Sequence, residues 1–160
     1  IDEAYALARG GENDFGLEAV DTIVKFMEDH RDDLSVIAAG YPAEMSELID
    51  TNPGLKSRFT RTVEFPDYDT DELIAIFGLI SGSKEYHLDD SGKVELGTII
   101  EAEPRGRGFG NARFVRNVFE AAIGHHALRL AHVAVPTDEQ LTTLTADDLQ
   151  SPGRGTAILP

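Results

Sequence analysis

Two neighbouring carboxylates open the chain, where Asp2 and Glu3 follow Ile1 in the segment IDEAYAL. This segment is interpreted as the last turn of a buried strand, which puts both acids at the carboxyl edge of a sheet. Open α/β folds bind their ligands at that edge. In phosphoryl-transfer sites an aspartate holds Mg²⁺ and a neighbouring acid orients the attacking water. Two acids that merely end a surface strand are the structural alternative, and the pair alone does not decide between them.

Arginines form a second group of residues that could contact phosphate. Arg58 follows a Pro-Gly turn in NPGLKSRF, and such a turn can hold an arginine out on a loop. Its planar guanidinium fits phosphate oxygens and can reach the nucleotide site of a neighbouring subunit. Pairing with one of the many acids of the chain is the alternative.

The segment RGRGFGNARFVRN places Arg113 in the first turn of a helix that follows Gly110. Its glycine spacing is G-x-G-x-G, which differs from the G-x-G-x-x-G of dinucleotide-binding loops. A helix N-terminus attracts anions, and its first turn usually favours acids over a fixed positive charge. Arg113 therefore indicates either an anion contact or an ion pair with a nearby acid.

Composition excludes several classes of function. The 160 residues carry 29 Asp and Glu against 14 Lys and Arg, and a net charge of −15 argues against nucleic acid as a partner. The absence of cysteine excludes disulfides, thiolate catalysis and cysteine-type zinc sites, and it fits a cytoplasmic location. No apolar run approaches the roughly 20 residues that span a bilayer, so no direct membrane insertion is expected. The five histidines have no metal-binding spacing.

Residues 1–66 are predicted to alternate strand and helix. Apolar spacing predicts a helix over Leu17–His30, and Pro42 begins a shorter one. Strands are predicted at the chain start, at Leu34–Gly40 and at Thr62–Phe65. The second has the length and Val/Ile content of a parallel strand that is covered on both faces.

After Pro66 the pattern is helical. Asp69 or Thr70 can cap one helix, Val94 and Ile100 lie on a second, and a long third helix follows Gly110. The segment TADDL predicts a short helix. We therefore predict a parallel-sheet domain in residues 1–66, a small all-α domain in 67–150 and a flexible tail in 151–160. Because the sheet begins at residue 1, the chain is expected to be the C-terminal portion of a two-part module.

Taken in order, these motifs resemble the AAA+ ATPases of the CbxX/CfqX family. IDEAYAL is similar to the Walker B strand of that family, and VIAAGYPAEM is similar to its sensor 1 strand. NPGLKSRFTRTVEFPDY resembles its arginine-finger segment, and GFGNARFVRNVFEAAI resembles its sensor 2 helix. The resemblance extends to about residue 149. It implies an α/β fold, the C-terminal part of a P-loop AAA+ parallel-sheet domain followed by a small helical lid.

The resemblance also implies roles for four residues in a site for ATP and Mg²⁺. Asp2 would coordinate Mg²⁺, and Glu3 would polarise the hydrolytic water. Arg58 would act in trans on the γ-phosphate of the next protomer, and Arg113 would contact phosphate from the lid.

Two features depart from the family pattern. The polar sensor 1 residue falls near Ala39, Gly40 or Tyr41, so it is not assigned. No G-x-x-x-x-G-K-[ST] loop occurs in the chain, so the Walker A lysine is expected before Ile1. The 160 residues alone are therefore expected not to hydrolyse ATP.

The resemblance implies a ring oligomer, expected to be a hexamer, that acts on protein substrates. The acidic, Ala-rich composition and the ending PTDEQLTTLTADDL favour the EccA-like branch of type VII (ESX) secretion, whose substrates would be secreted proteins or their chaperones. A remodeller like red-type rubisco activase is one alternative. A non-enzymatic helical interaction module with vestigial ATPase motifs is another.

Overall fold

The computed structural model describes residues 1–9 and 15–149, and the chain divides into two compact units. The first unit is Ile1–Phe65, and the second begins at Pro66. The first contains a 3₁₀ turn over Ala4–Ala8 and the helices α1 (Gly16–Asp29), α2 (Pro42–Thr51) and α3 (Pro53–Arg58). The second contains α4 (Thr70–Gly82), β1 (His87–Leu88), α5 (Asp90–Ala102), α6 (Ala112–Leu130), α7 (Asp138–Thr142), β2 (Thr143–Leu144) and a 3₁₀ turn over Ala146–Leu149.

Backbone hydrogen bonds join the start of the first unit to the segment before α2. The amino group of Ile1 donates to the Ile37 carbonyl at 2.6 Å, and the Ala39 N–H donates to the Ile1 carbonyl at 2.8 Å. Donation in both directions around one residue is the pattern of a parallel ladder. The Ala4 N–H extends this pairing to the Ala39 carbonyl at 3.1 Å. The parallel pairing expected between these two segments is therefore present over this short stretch.

Residues 1–3, 34–40 and 62–65 form no regular strands, which differs from the prediction. A strand is held by hydrogen bonds to its neighbours. Within the described residues, residues 37–39 bond to the first residues of the chain, while the Leu34 N–H donates to the His30 carbonyl just after α1. Burial nevertheless alternates along the segment 34–40, as in an extended strand. Leu34 and Val36 face an apolar hollow lined by α1, whereas Ile37 is 80% exposed. The face of this segment that carries Leu34 and Val36 is therefore covered by α1, and the face that carries Ile37 is open to solvent.

A small core holds the 3₁₀ turn of the first unit against α1 and α2. It is formed by Ala4, Tyr5, Val20, Leu48 and Leu55. The turn passes so close to residue 40 that a Cβ there would lie 2.6 Å from a Tyr5 ring carbon. Glycine is therefore required at this position, immediately after the segment that pairs with Ile1.

The second unit is built on α4, α5 and α6. Each contributes fully buried apolar side chains, and the rings of Phe77 and Phe119 meet edge-on at 5.6 Å. Asp69 begins α4 with a reciprocal capping box to Glu72, which confirms the predicted cap. Asp89 caps α5 by accepting from the Gly92 N–H at 2.7 Å. This bond, followed by one from the Ser91 hydroxyl, lowers the pKa of Asp89.

The segment after α6 belongs to the core of the second unit. Strand β2 pairs in parallel with β1, so that Leu144 aligns with Leu88. Leu144 and Leu149 are fully buried, and the 3₁₀ turn between them packs against α5 and α6. The unit is thus helical apart from this two-residue pairing. The tail predicted over 151–160 lies outside the described residues. Across residues 1–9 and 15–149, no helix combines the length and the apolar character that crossing a membrane requires.

One ion pair fixes that closing segment to α6. Asp148 is 1% exposed and accepts from Arg129 Nε at 2.8 Å and from Arg129 Nη2 at 2.7 Å. The Thr145 N–H donates to the same carboxylate at 2.9 Å. Burial raises the pKa of Asp148, but the Arg129 and Thr145 hydrogen bonds outweigh it and hold this pKa below its ordinary value. The buried charge is therefore matched by a bidentate partner.

We predict that Asp148→Asn destabilises the second unit by about 2 to 4 kcal/mol, because it leaves the Arg129 guanidinium without its charged acceptor. Urea unfolding followed by circular dichroism measures this change. Asp147→Asn is the matched control, since Asp147 lies in the same turn and is exposed. Equal unfolding midpoints for the two variants would contradict the prediction.

The stability that Asp148 contributes should depend on pH in one direction. Its folded-state pKa lies below the unfolded value near 3.8, so its contribution is present above that value. The contribution is lost as pH falls through the folded-state pKa. The difference in unfolding free energy between wild type and Asp148→Asn should therefore narrow below about pH 4. A constant difference across the acid range would show that the charge of Asp148 does not matter.

Candidate functional site

Asp2 and Glu3 are exposed, and the residues on either side of them are fixed. Before them, Ile1 pairs with Ile37 and Ala39 through the backbone. After them, Ala4 and Tyr5 are buried in the core of the first unit. The two carboxylates therefore lie where the paired segments end.

A second set of contacts fixes the turn that follows the two acids. The Arg9 guanidinium lies over the Tyr5 ring, 4.5 Å from its centroid. It also donates to Glu44 of α2 at 3.4 Å, and Glu44 is only 6% exposed. This contact gives a buried carboxylate a charged partner, and it ties the 3₁₀ turn to the first turn of α2.

The backbone of Glu3 adopts a left-handed conformation, with φ 48° and ψ 40°. For a residue with a Cβ this costs about 1 to 2 kcal/mol. Hydrogen bonds on both sides hold it, since its carbonyl accepts from the Ala6 N–H at 2.8 Å and the next N–H donates to Ala39. The Glu3 N–H donates to Asp2 Oδ1 at 3.0 Å. Within the described residues, the Glu3 carboxylate has no hydrogen-bond partner, so it is free to accept from a bound molecule.

The exposed Asp2 carboxylate is the kind of ligand that proteins use to bind Mg²⁺ together with a nucleotide. Mg²⁺ takes one or two carboxylates from the protein, and phosphates and water complete its shell. One Asp2 oxygen accepts from the adjacent N–H, which orients the carboxylate. No cluster of three or more His, Asp or Glu side chains that could hold a metal occurs in residues 1–9 and 15–149. An Mg²⁺ ion at Asp2 would therefore depend on its nucleotide for further ligands.

The three positions considered for sensor 1 lie at the same edge. Ala39 pairs with Ala4, Gly40 contacts Tyr5, and Tyr41 precedes the first turn of α2. Only Tyr41 has a polar side-chain atom, and its ring centroid is 6.3 Å from that of Tyr5. Tyr41 is therefore the candidate for the polar residue expected at the sensor 1 position.

Arg58 is the last residue of α3, rather than part of an open loop as its sequence context predicts. The Asn52 side chain begins this short helix by accepting from the Gly54 N–H at 2.7 Å. Arg58 Nη1 donates to the Gly54 carbonyl at 3.2 Å, within its own helix. Arg58 Nη2 donates to Glu28 Oε2 of α1 at 2.7 Å. The guanidinium is therefore held between its own helix α3 and the neighbouring helix α1.

This docking leaves part of Arg58 unsatisfied. Its side chain is 23% exposed, and its buried Nε atom has no hydrogen-bond partner within residues 1–9 and 15–149. A buried donor without an acceptor costs about 1 to 3 kcal/mol. Arg58 donates to neither Asp2 nor Glu3 within the described residues.

Arg113 is exposed and is the second residue of α6 in the second unit. Asn111 fixes the start of this helix, since its side chain donates to Asp67 Oδ1 at 2.6 Å and accepts from the Tyr68 N–H at 2.9 Å. Gly108 has φ 89°, a conformation that favours glycine. In the part of the chain that the structure describes, the Arg113 side chain has no ion-pair or hydrogen-bond partner. The local ion pair considered from the sequence does not form.

The neighbouring Arg105 has a structural role. It donates to the Tyr68 carbonyl at 2.5 Å and lies over the Phe109 ring at 4.5 Å. Of these two arginines, Arg113 is therefore the one that remains available to an anion.

Sequence reasoning missed three residues that position this chemistry: Glu28, Glu44 and Asn111. Asn111 lies at the position before a helix that favours Asn, which is a local signal, although its side chain bonds to Asp67 and Tyr68 and not to the helix backbone. Glu28 and Glu44 have no such local signal, since each meets its arginine across 30 or more residues of sequence.

Comparison with known proteins gives both a domain and a set of relatives. Residues 69–157 match the AAA lid domain. The chain is 41% identical to the stage V sporulation protein K of Bacillus subtilis over 152 residues, which is 93% of this chain and 47% of that protein. It is 42% identical to the plasmid protein CbxX of Cupriavidus necator, over 93% of this chain and 48% of that protein.

A third relative is the ESX-3 secretion system protein EccA3 of Mycobacterium tuberculosis. The identity is 40% over 168 residues, which is 93% of this chain and 27% of that protein. The chain thus spans about half or less of the length of these relatives. The resemblance drawn from the motifs is confirmed, and so is the fold class: the chain belongs to the AAA+ family, and residues 69–157 match its lid domain.

Proposed function

We propose that the intact protein is an ATP-hydrolysing AAA+ motor that remodels or delivers protein substrates. One observation of the structure carries this proposal. The parallel pairing of Ile1 with Ile37 and Ala39 puts two adjacent, exposed carboxylates at the edge where α/β folds bind ligands. The membership of the chain in the AAA+ family supports the same conclusion.

Asp2 and Glu3 have different parts in the proposed reaction. Asp2 supplies a carboxylate oxygen to Mg²⁺, which would neutralise phosphate charge when bound with ATP. Glu3 orients the attacking water and accepts its proton, which requires a carboxylate without other donors. The left-handed backbone at Glu3 supports this assignment, because such strain is concentrated at functional sites.

The two arginines are proposed to contact phosphate from different directions. Arg58 acts in trans on the γ-phosphate bound by the next protomer, and its planar fork stabilises the charge that develops there. Arg113 contacts phosphate from the lid, and its exposed position at the start of α6 supports this role. Action in trans requires a ring, for which we propose a cytoplasmic hexamer.

For the substrate we propose secreted proteins or their chaperones, in type VII secretion. The acidic composition and the similarity to an ESX-3 secretion system protein support this branch. The similarity to CbxX is of the same size and keeps a rubisco-activase-like remodeller as the alternative. The proposed chemistry at Asp2, Glu3 and Arg58 is the same in either case.

We predict that the 160 residues alone do not turn over ATP. They contain no G-x-x-x-x-G-K-[ST] loop, whose backbone amides and lysine supply most of the contacts to the β- and γ-phosphates. A magnesium-dependent phosphate-release assay on the isolated chain measures this. Turnover above that of a Glu3→Gln control would contradict the prediction.

In the intact protein, Glu3→Gln should abolish most turnover while ATP stays bound, because the amide fills the same space but accepts a proton poorly. Asp2→Asn should instead weaken binding of Mg²⁺ with ATP, because it removes a charged ligand of a hard cation. Turnover and nucleotide affinity measured on the same preparations separate the two effects. Glu18→Gln, an exposed acid on α1, is the matched control. A Glu3→Gln protein with wild-type turnover would show that Glu3 is not the acid involved.

Arg58→Ala in the intact protein should lower turnover by about 10³-fold or somewhat less and leave nucleotide binding unchanged. Arg58→Lys should restore little, because an ammonium group cannot reproduce the planar fork. Mixing Arg58→Ala protomers with Glu3→Gln protomers should recover activity at junctions that pair an intact Glu3 with an intact Arg58. The absence of recovery in rings shown to be mixed would count against action in trans.

A further inference from the structure

The contact between Arg58 and Glu28 raises a question that the proposed function does not answer. The strongest contact of the Arg58 guanidinium is with Glu28 of α1, at 2.7 Å from Nη2 to Oε2. Both residues belong to the first unit of the same chain. An arginine engaged in this way cannot use the same Nη2 edge to contact a phosphate on a neighbouring subunit.

We propose that Glu28 is a positioning residue that holds Arg58 in cis and must release it before Arg58 can act on the next protomer. This inference rests on the role proposed for Arg58. Glu28 Oε2 occupies Arg58 Nη2 with an anionic oxygen, and a phosphate oxygen is an acceptor of the same kind for that nitrogen. The two acceptors therefore compete for one donor group.

Three observations indicate that the docked state is easily exchanged. The Glu28 side chain is 56% exposed, so water competes for it and weakens the ion pair. Among the described residues no acceptor reaches the buried Arg58 Nε, so the docked guanidinium is incompletely satisfied there. The Nη1 contacts, to the Gly54 carbonyl and to the Ser57 hydroxyl, come from the helix that carries Arg58. Of the contacts that Nη1 and Nη2 make with described residues, only the one with Glu28 ties the guanidinium to another element.

The expected effect of release follows from the strength of exposed ion pairs. Pairs of this kind favour the bound state by about 1.4- to 5-fold. Removing the acceptor then raises the fraction of free Arg58 by about 2- to 6-fold, and any step that requires free Arg58 is favoured by the same factor.

The test uses the intact protein carrying Glu28→Gln, which keeps the shape of the side chain and removes its charge. Turnover per subunit should rise about 2- to 6-fold. A second readout does not depend on hydrolysis. In a Glu3→Gln background with ATP, the protein concentration for half-maximal ring assembly, measured by sedimentation, should fall by a similar factor. Glu18→Gln on the same helix should change neither quantity.

A double variant separates this inference from the proposed function. In an Arg58→Ala background, Glu28→Gln should have no effect on turnover or assembly. If Arg58→Ala alone leaves turnover intact, the proposed role of Arg58 fails, and the role of Glu28 fails with it. If Arg58→Ala abolishes turnover but Glu28→Gln leaves both readouts unchanged or lowers them, only the inference about Glu28 is overturned. Glu28→Ala provides a second test should the glutamine variant fold poorly, since alanine is the best helix former.

Discussion

The backbone pairing between residues 1–4 and 37–39 is the constraint on which the candidate site depends. It sets the direction and the end point of both segments, so that Asp2 and Glu3 emerge beside Gly40 and Tyr41. Among residues 1–9 and 15–149, neither carboxylate forms a hydrogen bond or ion pair with another side chain. Their position follows from the buried Ala4 and Tyr5 after them and from the paired residue before them. A substitution that weakens this backbone pairing would therefore displace the two carboxylates even though it replaces neither Asp2 nor Glu3.

In the second unit, an ion pair between side chains has the fixing role that backbone pairing has in the first. Its last described segment closes over α5 and α6, and the Asp148–Arg129 ion pair holds it there. Breaking such a pair is costlier than its net contribution suggests, because the remaining charge loses its partner in a largely dry environment. Arg113 lies at the other end of α6 from Arg129, so one rigid helix carries both the structural arginine and the candidate phosphate contact.

Helices and the cap at Asp69 could be predicted from the sequence because their signals are local, whereas the strands predicted at 34–40 and 62–65 are not regular strands. The apolar spacing of α1 and the capping residue Asp69 are confirmed by the structure. The two-residue pairing of β1 with β2 is too short to leave a periodic pattern, and α3 has six residues held by an Asn52 cap. The acceptor of Arg58 could not be predicted, since Glu28 meets it only through the packing of α1 on α3.

The acidic surplus of this chain gives these long-range pairings a general cause. With 29 acids against 14 Lys and Arg, an arginine near the surface has many carboxylates within reach of its guanidinium. Arg9, Arg58 and Arg129 each dock on one of them, at Glu44, Glu28 and Asp148. Two of these acids are buried, so release of the arginine would remove a charged partner from a carboxylate that water does not reach. Glu28 is the exposed one, and water can solvate it when Arg58 leaves. The exposure of the acceptor, more than the length of the contact, therefore distinguishes an arginine that is fixed from one that is able to move.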